Sequence, residues 1–163
     1  MSFFAGWTLR NVDAQVYHLS DAEKRRLAVP LRFAPGLCAL LGATFLGTQW
    51  APGLFVLAGT ALAGALLPRH PFDYAYGVLL ARPLRTGVAP SNTPQRRFAC
   101  AIGAVLLTVT GASFAAGVDP LAWVVGLFFV SVATVVTITN WCLRSLIYNR
   151  LLVRIGFPAA ATE

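Results

Sequence analysis

Carboxylates are scarce in this sequence: six Asp and Glu residues stand against 13 Lys and Arg, and between Glu23 and Asp119 the only one is Asp73. Charge of either sign is missing from Phe33 to Pro68, from Phe98 to Val118 and from Pro120 to Leu143. A water-soluble helix needs a polar face, so uncharged runs of this length exclude an ordinary soluble domain. The same runs contain no ionisable side chain, which disfavours ion-coupled carriers and proton pumps, since these keep an Asp, Glu, His, Lys or Arg within the bilayer. No C-x-x-C or H-x-x-x-H pair occurs, so no local metal motif is present. The first 31 residues include DAEKRRLAVPLR and lack an early apolar segment with a small-residue cleavage site. A removed secretory signal is therefore not expected.

What is there is apolar. Hydrophobic residues make up 57% of the chain and charged residues 12%, with a mean hydropathy of +0.67, a balance that belongs in lipid. TQWAPG at Thr48–Gly53 breaks the first run, and Asp119–Pro120 separates the other two. Because a spanning helix needs about 20 apolar residues, the pattern predicts spans over 33–50, 52–68, 98–118 and 121–141. The expected fold is an all-α integral membrane protein with four transmembrane helices in two hairpins. An N-terminal interfacial segment covers 1–31, the four-span unit covers 32–142 with a connecting loop at 69–97, and a basic amphipathic segment covers 143–163.

The basic residues set the expected orientation. Five precede the first span, five lie in the loop Arg69–Arg97, and Arg144, Arg150 and Arg154 follow the fourth. All 13 therefore face one compartment, and the excess of Lys and Arg on cytoplasmic loops places both termini and the loop in the cytoplasm of a bacterial inner membrane. The net charge of +7 is then directed at anionic lipid head groups, worth about 1 kcal/mol per residue near the surface. Nucleic acid is not an expected partner, because no interleaved basic and aromatic face lies outside the membrane boundaries.

Local signals refine this plan. Ser20 and Glu23 have capping-box spacing, so a helix should start near Asp21. Pro30 and Pro35 should kink or interrupt it, giving an interfacial helix that turns into the first span. SFFAGWTL belongs in the head-group layer through Phe3, Phe4 and Trp7. RFAPGLCALLG from Arg32 and RFACAIGAVLL from Arg97 share a start and an apolar pattern, which suggests an internal duplication with parallel repeats. Small residues at packing spacing, among them Ala39/Ala43/Gly47, Gly59/Ala63, Ala99/Gly103 and Ala104/Thr108/Ala112, let helices approach closely, and Ser131, Thr134 and Thr137 offer hydroxyls across an interface.

RHPFDYAYG, Arg69–Gly77, raises the question of chemistry. His70 and Asp73 could form a relay, since histidine titrates near neutrality and a carboxylate can fix its tautomer. The simpler reading is an anchor: Pro71 ends a helix at the membrane boundary, Phe72, Tyr74 and Tyr76 join an aromatic belt, and the polar ends reach water. Cys38, Cys100 and Cys142 with His70 make up a soft-metal inventory, but cysteine also packs as a small apolar residue and stays reduced in the cytosol. His70 and Cys142 are the candidates for a cofactor contact; no cofactor or metal is predicted. At the C-terminus, Leu143, Leu146, Ile147, Leu151 and Ile155 recur on one helical face while Arg144, Arg150 and Arg154 point to phosphate. Leu146, Leu151 and these arginines form the expected lipid or partner surface, with Trp50 and Trp141 at the membrane boundaries.

HPFDYAYG after the second span, RRFAC opening the third and WCLRSLIYN closing the fourth resemble a family of small bacterial inner-membrane proteins classed as a domain of unknown function. The resemblance runs from about Asp13 to Arg154 and implies four spans. Its last motif often carries two cysteines separated by two residues; here Cys142 stands with Ser145, so no dithiol is implied. The resemblance brings no catalytic residue with it. The expected role is therefore not enzymatic: an accessory, assembly or scaffold subunit of a larger membrane complex or a homo-oligomer, with a thiol-redox or quinone-linked component and a small-solute permeation protein as rival classes.

Overall fold

A computed structural model describes residues 21–83, 86 and 91–139. Among these residues the chain is all helical: α1 Asp21–Gly47, α2 Ala51–Leu66, α3 Pro71–Leu79, α4 Pro94–Ala115 and α5 Asp119–Thr139. Three of them are long and apolar enough to cross a membrane, over Val29–Gly47, Pro94–Ala115 and Asp119–Thr139. A fourth crossing is reached only when α2 and α3 are taken together, and these are bent by 89° from one another.

The described part of α1 begins at Asp21; Ser20, the expected cap, lies outside the described residues, and the helix does not stop at its prolines. It runs unbroken for 27 residues through Pro30 and Pro35, about 40 Å. A proline deletes one i→i−4 bond without forcing a break when packing holds the helix around it; Pro30 is fully buried, and Leu31 and Ala34, which follow it, are buried too.

Both α1 and α4 end in the same way. After α1, the N–H of Trp50 donates to Phe45 O and that of Gln49 to Leu46 O; after α4, the N–H of Val118 donates to Ser113 O and that of Gly117 to Phe114 O. Each pair of bonds is a Schellman stop, which requires a left-handed residue one past the cap. Gly117 takes that conformation at φ 72°, and Gln49 takes it at φ 52°. The following helix then begins at once, at Ala51 and at Asp119.

The closest packing crosses between the halves of the chain. The most extensive helix contact is α2 with α4, followed by α1 with α5 and α4 with α5, whereas α1 and α2 touch only sparsely. The core holds Leu54, Leu57, Ala58 and Ala61 of α2, Ala104 and Leu107 of α4, and Phe129 of α5. Gly126 shows why small residues matter: a Cβ there would lie 2.4 Å from Leu46 Cδ1. Of the predicted small-residue positions, Ala39, Gly103 and Ala104 are buried, but Ala43, Gly47, Gly59, Thr108 and Ala112 are exposed.

Along the long helices the threonine hydroxyls bond locally. Thr108, Thr110, Thr134, Thr137 and Thr139 each donate to the carbonyl four residues earlier on their own helix. In an apolar medium the nearest carbonyl is an always-available acceptor, so the local bond wins.

Candidate functional site: a polar clamp at the helix break

The sequence ALLPRHPFDYAYG builds a corner. His70 precedes Pro71, which holds it in extended backbone at φ −66° and ψ 141°, the conformation that steric contact with the proline ring favours. Pro71 then occupies the first helical position, where its missing N–H costs nothing. The expectation that Pro71 only ends a helix is thus corrected: it opens α3, inside the stretch expected to be a loop.

His70 is the cap of this helix. Its Nδ1 accepts the N–H of Phe72 at 3.2 Å, which leaves the ring proton on Nε2. The ring lies against the last turn of α2, where a Cβ on Gly64 would fall 2.2 Å from His70 Cδ2. Only glycine leaves space for the imidazole there. Burial, and secondarily the Arg96 guanidinium, pushes the His70 pKa down to about 4.

Asp73, three residues on, is fully buried. Arg96 Nη2, from the first turn of α4, lies 3.1 Å from Oδ1 and 2.8 Å from Oδ2. Burial raises the Asp73 carboxyl above its usual range while Arg96 pulls against it. The pairing also suits both helices, since α4 has no acidic residue in its first turn and α3 has Asp73 in its own, where a negative charge complements the helix dipole.

Two further contacts close the corner. Asn92 donates its side-chain Nδ2–H to Gly64 O at 2.8 Å and its backbone N–H to Pro68 O at 2.6 Å, so carbonyls at the end of α2 are satisfied from the segment that leads into α4. Tyr76 is buried against Phe33 of α1, with ring centroids 5.0 Å apart, and its hydroxyl lies 2.5 Å from Thr86 Oγ1. Tyr76 and Asp73 therefore correct the anchor reading in part: Tyr74 is exposed, but the other two, with His70, point into protein. They were expected at the water because each was weighed alone, without partners that lie on other helices.

A family model described as Domain of unknown function (DUF4395) matches residues 28–153. The chain belongs to this family. The matched region contains every residue of the clamp, so the corner at the end of α2 lies within the DUF4395 domain. No curated protein and no solved structure matches the chain.

The remaining candidates of the DUF4395 domain are dispersed. Cys38 lies on α1, packed against the core, and Cys100 lies on α4; both are partly buried thiols. Among the described residues no three His, Cys, Asp or Glu side chains are grouped to hold a metal. Trp50 is exposed at the α1–α2 turn and stacks edge-on against Phe45, with centroids 5.1 Å apart. Trp141, Cys142, Arg144, Leu146, Arg150, Leu151 and Arg154 lie outside the described residues. Sequence reasoning missed Gly64, Asn92 and Arg96. Thr93-Pro94 is a readable helix start, with the Thr93 hydroxyl accepting the Arg96 N–H, and it would have moved the beginning of α4 back from Phe98.

Proposed function

We propose that this protein is an accessory, assembly or scaffold subunit of a larger complex in the bacterial inner membrane. The observation that carries the reading is the use to which the polar residues are put. Where histidine, carboxylate and guanidinium come together, Asp73 is held by Arg96 and His70 Nδ1 is occupied by the Phe72 N–H. Groups bound to their own fold in this way position helices and leave no base or nucleophile presented to a substrate. The apolar helices carry no ionisable residue along their central stretches, which also speaks against ion-coupled transport.

In this reading the chain crosses the membrane four times, α2 making the second crossing and the corner to α3 lying at its cytoplasmic boundary, and both termini face the cytoplasm with the basic residues. Duplication is supported by the matching stops of α1 and α4 and by the exchange of partners, α2 with α4 and α1 with α5, which is the pattern a two-fold relation between halves produces.

Native purification in mild detergent with mass spectrometry is the test. A stoichiometric membrane partner, or a fixed multiple of this chain, is expected. A monomer carrying a stoichiometric cofactor would overturn the proposal.

A further inference from the structure

The short helix α3 is inside out. On one face it presents Asp73 and Tyr76, which are 0% and 1% exposed, and on the opposite face Tyr74 and Val78, which are 48% and 78% exposed; Leu79 at its end is 68% exposed. A helix lying on a protein in water does the reverse, turning its valine and leucine inward and its carboxylate outward. The sequence spacing makes the division a property of the whole helix: Tyr74 and Val78 are four residues apart on one side, Asp73 and Tyr76 three apart on the other. A carboxylate toward protein with valine and leucine outward is the arrangement of a surface whose solvent is hydrocarbon.

We infer that the outer face of α3, Tyr74 and Val78, with Leu79 at its exposed end, lies in the acyl–head-group boundary of the membrane that the long helices cross, so that α3 is an in-plane lipid contact. Continuity supports lipid as the occupant. The apolar exposure of α2 reaches its end through Leu62, Leu66 and Leu67, and α3 leaves that end at 89°, the direction a helix takes when it turns to lie along the membrane surface. Charge supports it as well. Arg69 precedes α3 and Arg82, which is exposed, follows it, so both ends carry a guanidinium at the level where lipid phosphates lie. The tyrosine suits the same depth, with an apolar ring and a polar tip.

The inference rests on the reading of the chain as a membrane protein, and the test separates the two. In the full-length protein with Cys38, Cys100 and Cys142 replaced by Ala, nitroxide labels are placed singly by V78C, Y74C and V124C and the protein is reconstituted in vesicles of phosphatidylethanolamine and phosphatidylglycerol. Val124 is exposed on α5 and reports the membrane itself. At positions 78 and 74, oxygen is expected to collide with the label several-fold more often than a water-soluble nickel chelate. If Val124 gives that result while position 78 favours the nickel chelate, α3 faces water and the inference fails with the membrane reading intact. If position 78 excludes both, protein covers the face and the inference also fails. A nickel-accessible label at position 124 overturns the membrane reading itself. Should the cysteine-free background misfold, a benzophenone amino acid at position 78 of the native chain is expected to crosslink to lipid; adducts only with protein or water would overturn the inference.

Discussion

Arg96 Nη2 lies 2.8 Å from Asp73 Oδ2, joining the first turn of α3 to the first turn of α4 across a break that local sequence does not bridge. Removing one partner leaves a buried charge, which costs about 3–5 kcal/mol, whereas replacing both with apolar groups of similar size is much cheaper. Asp73→Ala and Arg96→Met should therefore each lower the thermal unfolding midpoint in detergent sharply, and Asp73→Leu combined with Arg96→Met should recover most of the loss. A wild-type midpoint for Asp73→Ala would rule out the pair as a clamp.

Gly64 and His70 make a second coupled pair. Gly64→Ala forces the imidazole away from α2 and should destabilise by about 1–3 kcal/mol, the usual cost of overpacking. His70→Ser keeps an oxygen acceptor for the cap and empties the space, so the double variant should be more stable than Gly64→Ala alone. Additive losses in this cycle would mean that the ring and the glycine are independent.

The depressed pKa of His70 gives stability a pH dependence of known sign. The unfolded chain takes up a proton near the ordinary value of 6.5, whereas the folded chain holds the ring neutral down to about 4. Stability from this site is fully present above 6.5 and is lost as pH falls from there toward 4, because over that window the unfolded state binds more protons. Asp73 acts in the opposite sense, since a raised carboxyl pKa favours the fold as pH falls. Unfolding midpoints measured from pH 7 to 4 should drop in the wild type and less steeply in His70→Asn; equal slopes would exclude His70 as the source.

The two Schellman stops differ in one residue that decides their cost. Gln49 holds a left-handed conformation that disfavours a Cβ by about 1–2 kcal/mol, while Gly117 holds it freely. Gln49→Gly should stabilise and Gly117→Ala destabilise by about 1 kcal/mol each, read as opposite shifts in midpoint. Shifts of the same sign would contradict the shared stop.

Orientation is checked by reporter fusions. In the proposed orientation, a fusion after Arg154 and another within residues 86–94 should both report the cytoplasm. A periplasmic signal from either is incompatible with four crossings and internal termini.

The long uncharged runs made α1, α4 and α5 legible as apolar helices. The corner was less legible because its meaning is not local. Pro71 reads equally as the end of one helix or the beginning of the next, and only the cap made by His70 decides between them. Asp73 and Tyr76 look like surface anchors until Arg96 and Phe33 are brought beside them, and no periodicity encodes a contact between residues so far apart. Thr134 and Thr137 were read as interhelical donors because spacing identifies the face of a hydroxyl but not its acceptor, and the nearer carbonyl takes the bond.

The shortness of α2 has a mechanical consequence. At 16 residues it measures about 24 Å, while α4 and α5, with 22 and 21 residues, reach the hydrocarbon thickness of about 30 Å. In the proposed four-span arrangement the mismatch would fall on the α2 flank, where lipid would thin or the bundle would lean toward it. A protein of uneven height acts as a wedge in the bilayer.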